Sequence, residues 1–269
     1  MPQPDLLGPP EIVCRNVSKT FYGAKTEVEA VSANDLVFAS GQTAALVGPS
    51  GCGKSTFLRL VAGLERPTTG TVEIGGLSPD EVCRQAGLAV AFQDAALLPW
   101  LSVRQNVALA LKLAHRPADP AKVNELIELV GLGRFAETHP AELSGGMRQR
   151  AAIARCLVTE PRLLLLDEPF GAVDELTRMR LNQELPALWQ GRGTTTLLVT
   201  HSITEAVMLS DRVIVFSPRP AEVVADFHID LDRPRTGDMV RLGRFRELTA
   251  RIADALALGR RDELAEVAQ

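Results

Sequence analysis

Gly48-Pro49-Ser50-Gly51-Cys52-Gly53-Lys54-Ser55-Thr56 follows directly on the run Thr43-Ala44-Ala45-Leu46-Val47. A short apolar run of this kind suits a strand buried on both faces, as in a parallel sheet. Gly48 to Gly53 interrupts it, and Lys54 to Leu64 then carries a helical pattern. The nine residues fit G-x-x-x-x-G-K-[ST] in the strand–loop–helix setting that the motif requires. In that setting glycines let backbone N–H groups turn inward around phosphate oxygens, and the helix N-terminus adds its partial positive charge. Gly48, Pro49, Ser50, Gly51, Cys52 and Gly53 would form the cradle. Lys54 would reach the β- and γ-phosphates, the Ser55 hydroxyl would ligate Mg²⁺, and Thr56 would help hold a phosphate.

Further along, Leu163-Leu164-Leu165-Leu166-Asp167-Glu168 places two acids at the end of another buried strand. Strand ends beside a phosphate loop are where α/β sheets bind ligands. Asp167 is placed to hold Mg²⁺, directly or through water. Consecutive strand residues point to opposite faces, so Glu168 needs a turn toward Pro169 to face the same site. From there it would polarise a water opposite the γ-phosphate.

The chain of 269 residues allows one large domain or two small ones. Hydrophobic residues at 46% and charged residues at 23% fit a globular chain with a sizeable core; aromatics at 4% leave that core to Leu, Val, Ile and Ala. A net charge of −4 argues against a broad nucleic-acid footprint. The opening MPQPDLLGPP does not read as a signal peptide, and no apolar run approaches the roughly 18 residues of a membrane span. The expectation is a soluble or peripheral, cytoplasmic chain. Cys14, Cys52, Cys83 and Cys156 show no metal-type pair spacing and are expected to stay reduced.

Strand patterns begin at Ile12 to Val17, Val28 to Leu36 and Thr71 to Ile74, and return at Arg162 to Leu166, Thr195 to Thr200 and Arg212 to Phe216. Between them Val103 to Leu113, Ala121 to Val130 and Gly145 to Leu157 read as helices, so a helical insertion splits an α/β core. After Asp232-Arg233-Pro234-Arg235, the spacing of Phe245, Leu248, Ile252 and Leu256 predicts an amphipathic helix, packed either on the core or on a second protomer.

Many nucleotide-binding proteins share the two motifs above. Leu143-Ser144-Gly145-Gly146-Met147-Arg148-Gln149 separates them. A serine and two glycines opening a helix can make a second phosphate-binding surface, while the segment by itself also fits a plain helix N-cap. One active site rarely needs two such surfaces, but a site shared between two chains does. Here the chain closely resembles the ATP-binding-cassette ATPases, in motif order over about residues 11–225. LSGGM is similar to their signature motif. Phe21 matches the aromatic that stacks on adenine, with adjacent Tyr22 able to share or replace that role. Gln93 resembles the glutamine that senses the γ-phosphate, Mg²⁺ and the membrane partner. Asp174 resembles the aspartate at the dimer seam, and His201 the switch histidine at the γ-phosphate. Arg148 stands where Gln or Lys is frequent, and Gly171-Ala172-Val173 varies the small residues before Asp174. His115, His139 and His228 have no such context and read as structural.

The resemblance implies an α/β P-loop NTPase (RecA-like) core, residues 11–93 and 156–225, with an N-terminal antiparallel β subdomain and an inserted α-helical subdomain at 94–155. Residues 1–10 would be an N-terminal tail and 226–269 a C-terminal helical tail. It implies ATP and Mg²⁺ as ligands and a head-to-tail homodimer in which Ser144, Gly145 and Gly146 act on the partner's nucleotide. Three functions compete: the ATPase of a membrane importer, a non-transport cassette ATPase acting on DNA or ribosomes, and another phosphate-loop enzyme such as a small-molecule kinase. The ordered motif set disfavours the third. A single cassette with a short insertion disfavours the second. The importer reading agrees with Asp94-Ala95-Ala96-Leu97-Leu98-Pro99-Trp100-Leu101, an apolar patch suited to a partner helix. LLPWLSVRQNVALAL, Phe170 to Arg178, and Ser217-Pro218-Arg219-Pro220 resemble ATPase subunits of the nitrate, sulfonate and taurine importers. Their partners would be two transmembrane permease subunits and an extracytoplasmic solute-binding protein, with the ATPase peripheral on the cytoplasmic membrane face and no nucleic acid bound.

Overall fold

The computed structural model describes residues 8–23 and 26–267, with side chains described as far as residue 259. Residues 1–7 of the expected N-terminal tail lie outside the described residues. The strands are β1 (Ile12–Tyr22), β2 (Glu27–Phe38), β3 (Thr43–Val47), β4 (Thr69–Ile74), β5 (Leu88–Ala91), β6 (Leu163–Asp167), β7 (Thr195–Val199), β8 (Arg212–Phe216) and β9 (Val223–His228). The helices are α1 (Lys54–Val61), α2 (Pro79–Arg84), α3 (Val103–Leu113), α4 (Pro120–Leu129), α5 (Gly145–Leu157), α6 (Glu175–Glu184), α7 (Pro186–Gln190), α8 (Ile203–Leu209) and α9 (Gly243–Val267).

Every residue of β3, β6 and β7 is buried, so the sheet they form needs cover on both faces. Its order is β5-β6-β7-β3-β8-β9, parallel except for the β8–β9 pair. Alternation along each strand then divides the core in two. Ala45, Val47, Leu164, Leu166 and Leu198 face a layer that includes α3, α4, α5 and α8. Ala44, Leu46, Leu163, Leu165 and Leu197 face α1 and the antiparallel sheet β2-β1-β4. Phe57 of α1 packs between Phe38 of β2 and Phe216 of β8, with ring centroids 6.3 and 5.8 Å away. The α/β core, the N-terminal antiparallel sheet and the intervening helices are those expected.

Several bounds differ from expectation. β1 runs on to Tyr22 through bulged pairing with β2. α1 stops at Val61 because Gly63 takes φ +70°, the left-handed turn that closes a helix. α5 continues two residues past the 155/156 division. β9 crosses the 225/226 boundary because its residues pair with β8, making it a sheet strand rather than the start of a tail. Beyond it, Phe245, Leu248 and Ile252 are buried in the same core as α8, so α9 packs on its own core. Arg235 secures that arrangement. Its buried guanidinium donates to the carbonyls of Val207 at 2.7 Å and Ser210 at 2.6 Å, and of Ile229 and Leu231 at 3.3 and 3.2 Å. These include acceptors left open at the C-terminus of α8. Burial lowers the Arg235 pKa to about 10. Among the described residues no helix is long and apolar enough to cross a membrane. Arg235→Met should remove about 2–3 kcal/mol of stability by orphaning buried carbonyls, read as a lower urea midpoint with unchanged slope.

Candidate active site

Parallel pairing sets the site. Leu46 of β3 and Asp167 of β6 both lie opposite Val199 of β7, and Ala91 of β5 lies opposite Leu166. The strands therefore end together, and the residues just beyond them emerge along one sheet edge. Those residues include Gly48, Gln93, Glu168 and His201.

The phosphate loop is shaped by its glycines and by Lys54. Gly53 has φ +125°, and a Cβ there would stand 2.2 Å from the Ala30 carbonyl oxygen. Gly51 has φ +73°. Lys54 is 5% exposed, and its ammonium donates to the carbonyls of Gly48 at 2.8 Å and Pro49 at 2.7 Å, drawing the two ends of the loop together. Cys52 is buried, with its Sγ 3.6 Å from Lys54 Nζ. Ser50, Gly51, Ser55 and Thr56 line an open cleft of about 390 Å³.

Ser55 Oγ donates to Asp167 Oδ1 at 2.8 Å, joining the helix that follows the loop to the end of β6. Burial pushes the Asp167 carboxyl above its ordinary pKa, against the Ser55 hydrogen bond that lowers it. Glu168 takes φ +48°, uncommon for a residue with a side chain. Its N–H still bonds Val199 O at 2.9 Å, while its carbonyl accepts from Gly171 N at 3.1 Å. This is the turn expected before Pro169. One carboxylate oxygen, Glu168 Oε2, then receives Gln93 Nε2 at 3.3 Å and lies 3.5 Å from His201 Nδ1. Three strand ends thus converge on one atom.

Phe21, 40% exposed, lines the cleft, with the Lys19 ammonium 4.8 Å from its ring centroid. Tyr22 is 70% exposed and does not line it. Ser144, Gly145, Gly146 and Asp174 do not line the cleft either. Ser144 caps α5, accepting from Met147 N at 3.3 Å. Gly146 packs against the following turn, where a Cβ would meet Ala172 O at 2.7 Å. Asp174 caps α6, and the Thr177 N–H holds its carboxyl below the usual range. Residues on α5 also brace the Gln93 segment: Gln149 donates to Phe92 O at 3.0 Å, and Arg155 to Ala95 O and Ala96 O, each at 2.8 Å.

Two features escaped the sequence reading. The Thr200 hydroxyl bonds buried Glu205 and accepts from Ser202 N at 3.0 Å, fixing the turn that carries His201. Arg219 reaches the phosphate loop from between β8 and β9 and lines the cleft. Its position between Pro218 and Pro220 was the available signal of a rigid turn.

A phosphate loop on the central strand, an acid pair at a neighbouring strand end and converging glutamine and histidine define a phosphate-loop nucleoside triphosphatase. The profile of the ABC transporter family matches residues 31–171. The chain belongs to that family. It is 45% identical over 239 residues to the aliphatic sulfonates import ATP-binding protein SsuB of Pseudomonas putida, an overlap covering 89% of this chain and 84% of that one. It is 44% identical over 235 residues to the bicarbonate transport ATP-binding protein CmpC of Synechococcus elongatus, covering 83% of this chain and 34% of that longer one. Among solved structures, an ATP-binding cassette dimer in a post-hydrolysis state bound to ADP and Pi superposes with a TM-score of 0.74 at 32% identity, covering 82% of this chain and all of that one.

Gly53→Ala should force the loop out of shape, since the new Cβ meets backbone and the φ is unsuited to alanine. We expect a stability loss of at least about 2 kcal/mol, measured by thermal unfolding.

Proposed function

We propose that the chain is the ATP-hydrolysing, nucleotide-binding subunit of an ABC importer that drives uptake of a small solute of the sulfonate, taurine or nitrate type through a separate permease. The observation that carries the reading is the meeting of Gln93, Glu168 and His201 beside the Ser55–Asp167 pair, at the mouth of the phosphate loop.

In this reading the loop amides of residues 48–53 and the α1 N-terminus bind the phosphates. Lys54 moves from the loop carbonyls to the β- and γ-phosphates. Phe21, rather than Tyr22, stacks on the adenine. Ser55, Asp167 and Gln93 hold Mg²⁺. A hydroxyl, a carboxylate and an amide oxygen suit a hard cation that keeps phosphate and water among its ligands, and among the described residues no group of three or more His, Cys, Asp or Glu side chains forms a closed cage. When bound, the ion neutralises charge on the β- and γ-oxygens. Glu168 orients and polarises the attacking water, while Gln93 and His201 hold its carboxylate and face the γ-phosphate.

Ser144, Gly145 and Gly146 open α5 and Asp174 caps α6, none of them lining the cleft, as suits residues that act on a partner's nucleotide. The functional unit is a head-to-tail homodimer whose sites are complete only when both copies close on ATP. Residues 94–155 form the helical subdomain that docks the permease. Supporting this, Trp100 is 69% exposed and Leu98, Leu109 and Leu113 line an apolar groove of about 420 Å³. Two permease subunits and an extracytoplasmic solute-binding protein complete the importer, and this chain sits peripherally on the cytoplasmic face of the membrane.

Glu168→Gln should retain ATP binding and lose nearly all hydrolysis, a fall on the order of 10²-fold or more; near-normal turnover would refute the role of Glu168. Lys54→Ala should lose nucleotide affinity in a fluorescence titration. Co-purification with a permease, followed by ATP-dependent uptake of an alkanesulfonate into proteoliposomes, tests the importer and its solute separately.

A further inference from the structure

Arg219 stands in a turn that is tied to the rest of the molecule on several sides. Ser217 Oγ accepts from Glu222 N at 3.0 Å and lies 2.8 Å from the Pro218 and Pro220 carbonyls. Ala221 N donates to Ala30 O at 3.1 Å, and Ser32 N donates to Ala221 O at 3.1 Å. Buried Asn34 donates to Ala221 O at 3.0 Å and accepts from Val223 N at 3.2 Å. The turn is thus laced to β2, and Ala221 and Ala30 together form the wall against which Gly53 packs.

From this fixed base the Arg219 guanidinium reaches across the cleft mouth. Its Nε and Nη2 both donate to Gly51 O, at 3.1 and 3.0 Å. In a trans peptide the carbonyl and the following N–H point in opposite directions. A guanidinium holding the Gly51 carbonyl toward the rim therefore turns the Cys52 N–H into the loop, where it now faces Pro49 O at 3.3 Å. Gly51 itself takes φ +73°, a backbone conformation that suits glycine and sets the direction in which its carbonyl faces Arg219. Charge acts in the same direction. Arg219 and Lys54 are the two cations lining the cleft.

We propose that Arg219 is a positioning residue that presets the phosphate loop and adds a second positive charge at its mouth, so that it sets affinity for the diphosphate portion of the nucleotide without taking part in hydrolysis. This rests on the ATP-binding reading of the cleft. Lys54 draws the ends of the loop inward and Arg219 holds its crest outward; the two basic residues act on opposite sides of the same backbone. Because the effect is on the loop and not on the terminal phosphate, ATP and ADP feel it alike.

The test uses the full-length chain as wild type, Arg219→Gln and Lys54→Ala. Fluorescent ATP and ADP analogues report affinity, and steady-state ATPase assays report kcat and KM. Arg219→Gln should weaken both nucleotides about tenfold, about 1.4 kcal/mol, raise KM in parallel and leave kcat within about twofold. The exposed side chain leaves the nucleotide-free unfolding temperature unchanged. Unaltered affinity in Arg219→Gln while Lys54→Ala loses binding would overturn the role of Arg219 and leave the ATP site standing. A lower kcat at unchanged KM, or weakening confined to ATP, would overturn it too. Wild type that binds neither nucleotide would instead overturn the reading of the cleft itself.

Discussion

Leu46 and Asp167 lie opposite the same residue, Val199, from the two sides of β7. This register is the constraint from which the site follows. A parallel sheet delivers the carboxyl ends of its strands to one edge, so the phosphate loop, the acid pair and the histidine need no long loops to meet. One residue of slip would turn the apolar sets of each strand to the wrong layers. It would also move Asp167 away from Ser55. The chemistry is therefore locked by the same alternation that fills the two cores, and the precision of the site comes from packing as much as from polar contacts.

Around that edge, each reactive side chain is held by backbone geometry. Glu168 faces inward because its φ is +48°, a conformation that costs energy and is held by the flanking hydrogen bonds to Val199 and Gly171. His201 follows a turn fixed by Thr200, Ser202 and Glu205. Gln93 sits on a segment whose neighbours Phe92, Ala95 and Ala96 are held by Gln149 and Arg155 of α5. Ser144 caps that same helix, so one continuous element bears both the Ser144 turn and the side chains that brace the Gln93 segment.

What could be read in the residues alone was what local pattern encodes. The loop at 48–56, the buried LLLLD strand and the turn required after Glu168 all follow from short-range rules. The capping box of Ser78 and Glu81 was equally local and simply passed over. β5 is only four residues, too short for a period, and becomes a strand by pairing with β6. Phe21 and Tyr22 could not be told apart because β1 contains register shifts, including one between Lys19 and Thr20. A bulge changes the parity of every side chain beyond it, and parity was all that separated them. Arg219 touches a residue 168 positions away, and no spacing rule spans that distance.

The position of β3 has a consequence for the newly made chain. The strand that bears the phosphate loop leaves the ribosome well before its two neighbours, β7 and β8, which are Thr195–Val199 and Arg212–Phe216. Until those segments emerge, both edges of an apolar strand lack their partners. Such pairing across long separations is slow, and unpaired strand edges invite aggregation. A fragment that stops before residue 195 contains the complete phosphate loop and Asp167, yet it lacks the strands that put them side by side. The nucleotide site is thus assembled only after β7 and β8 have emerged, well after the phosphate loop itself has been made.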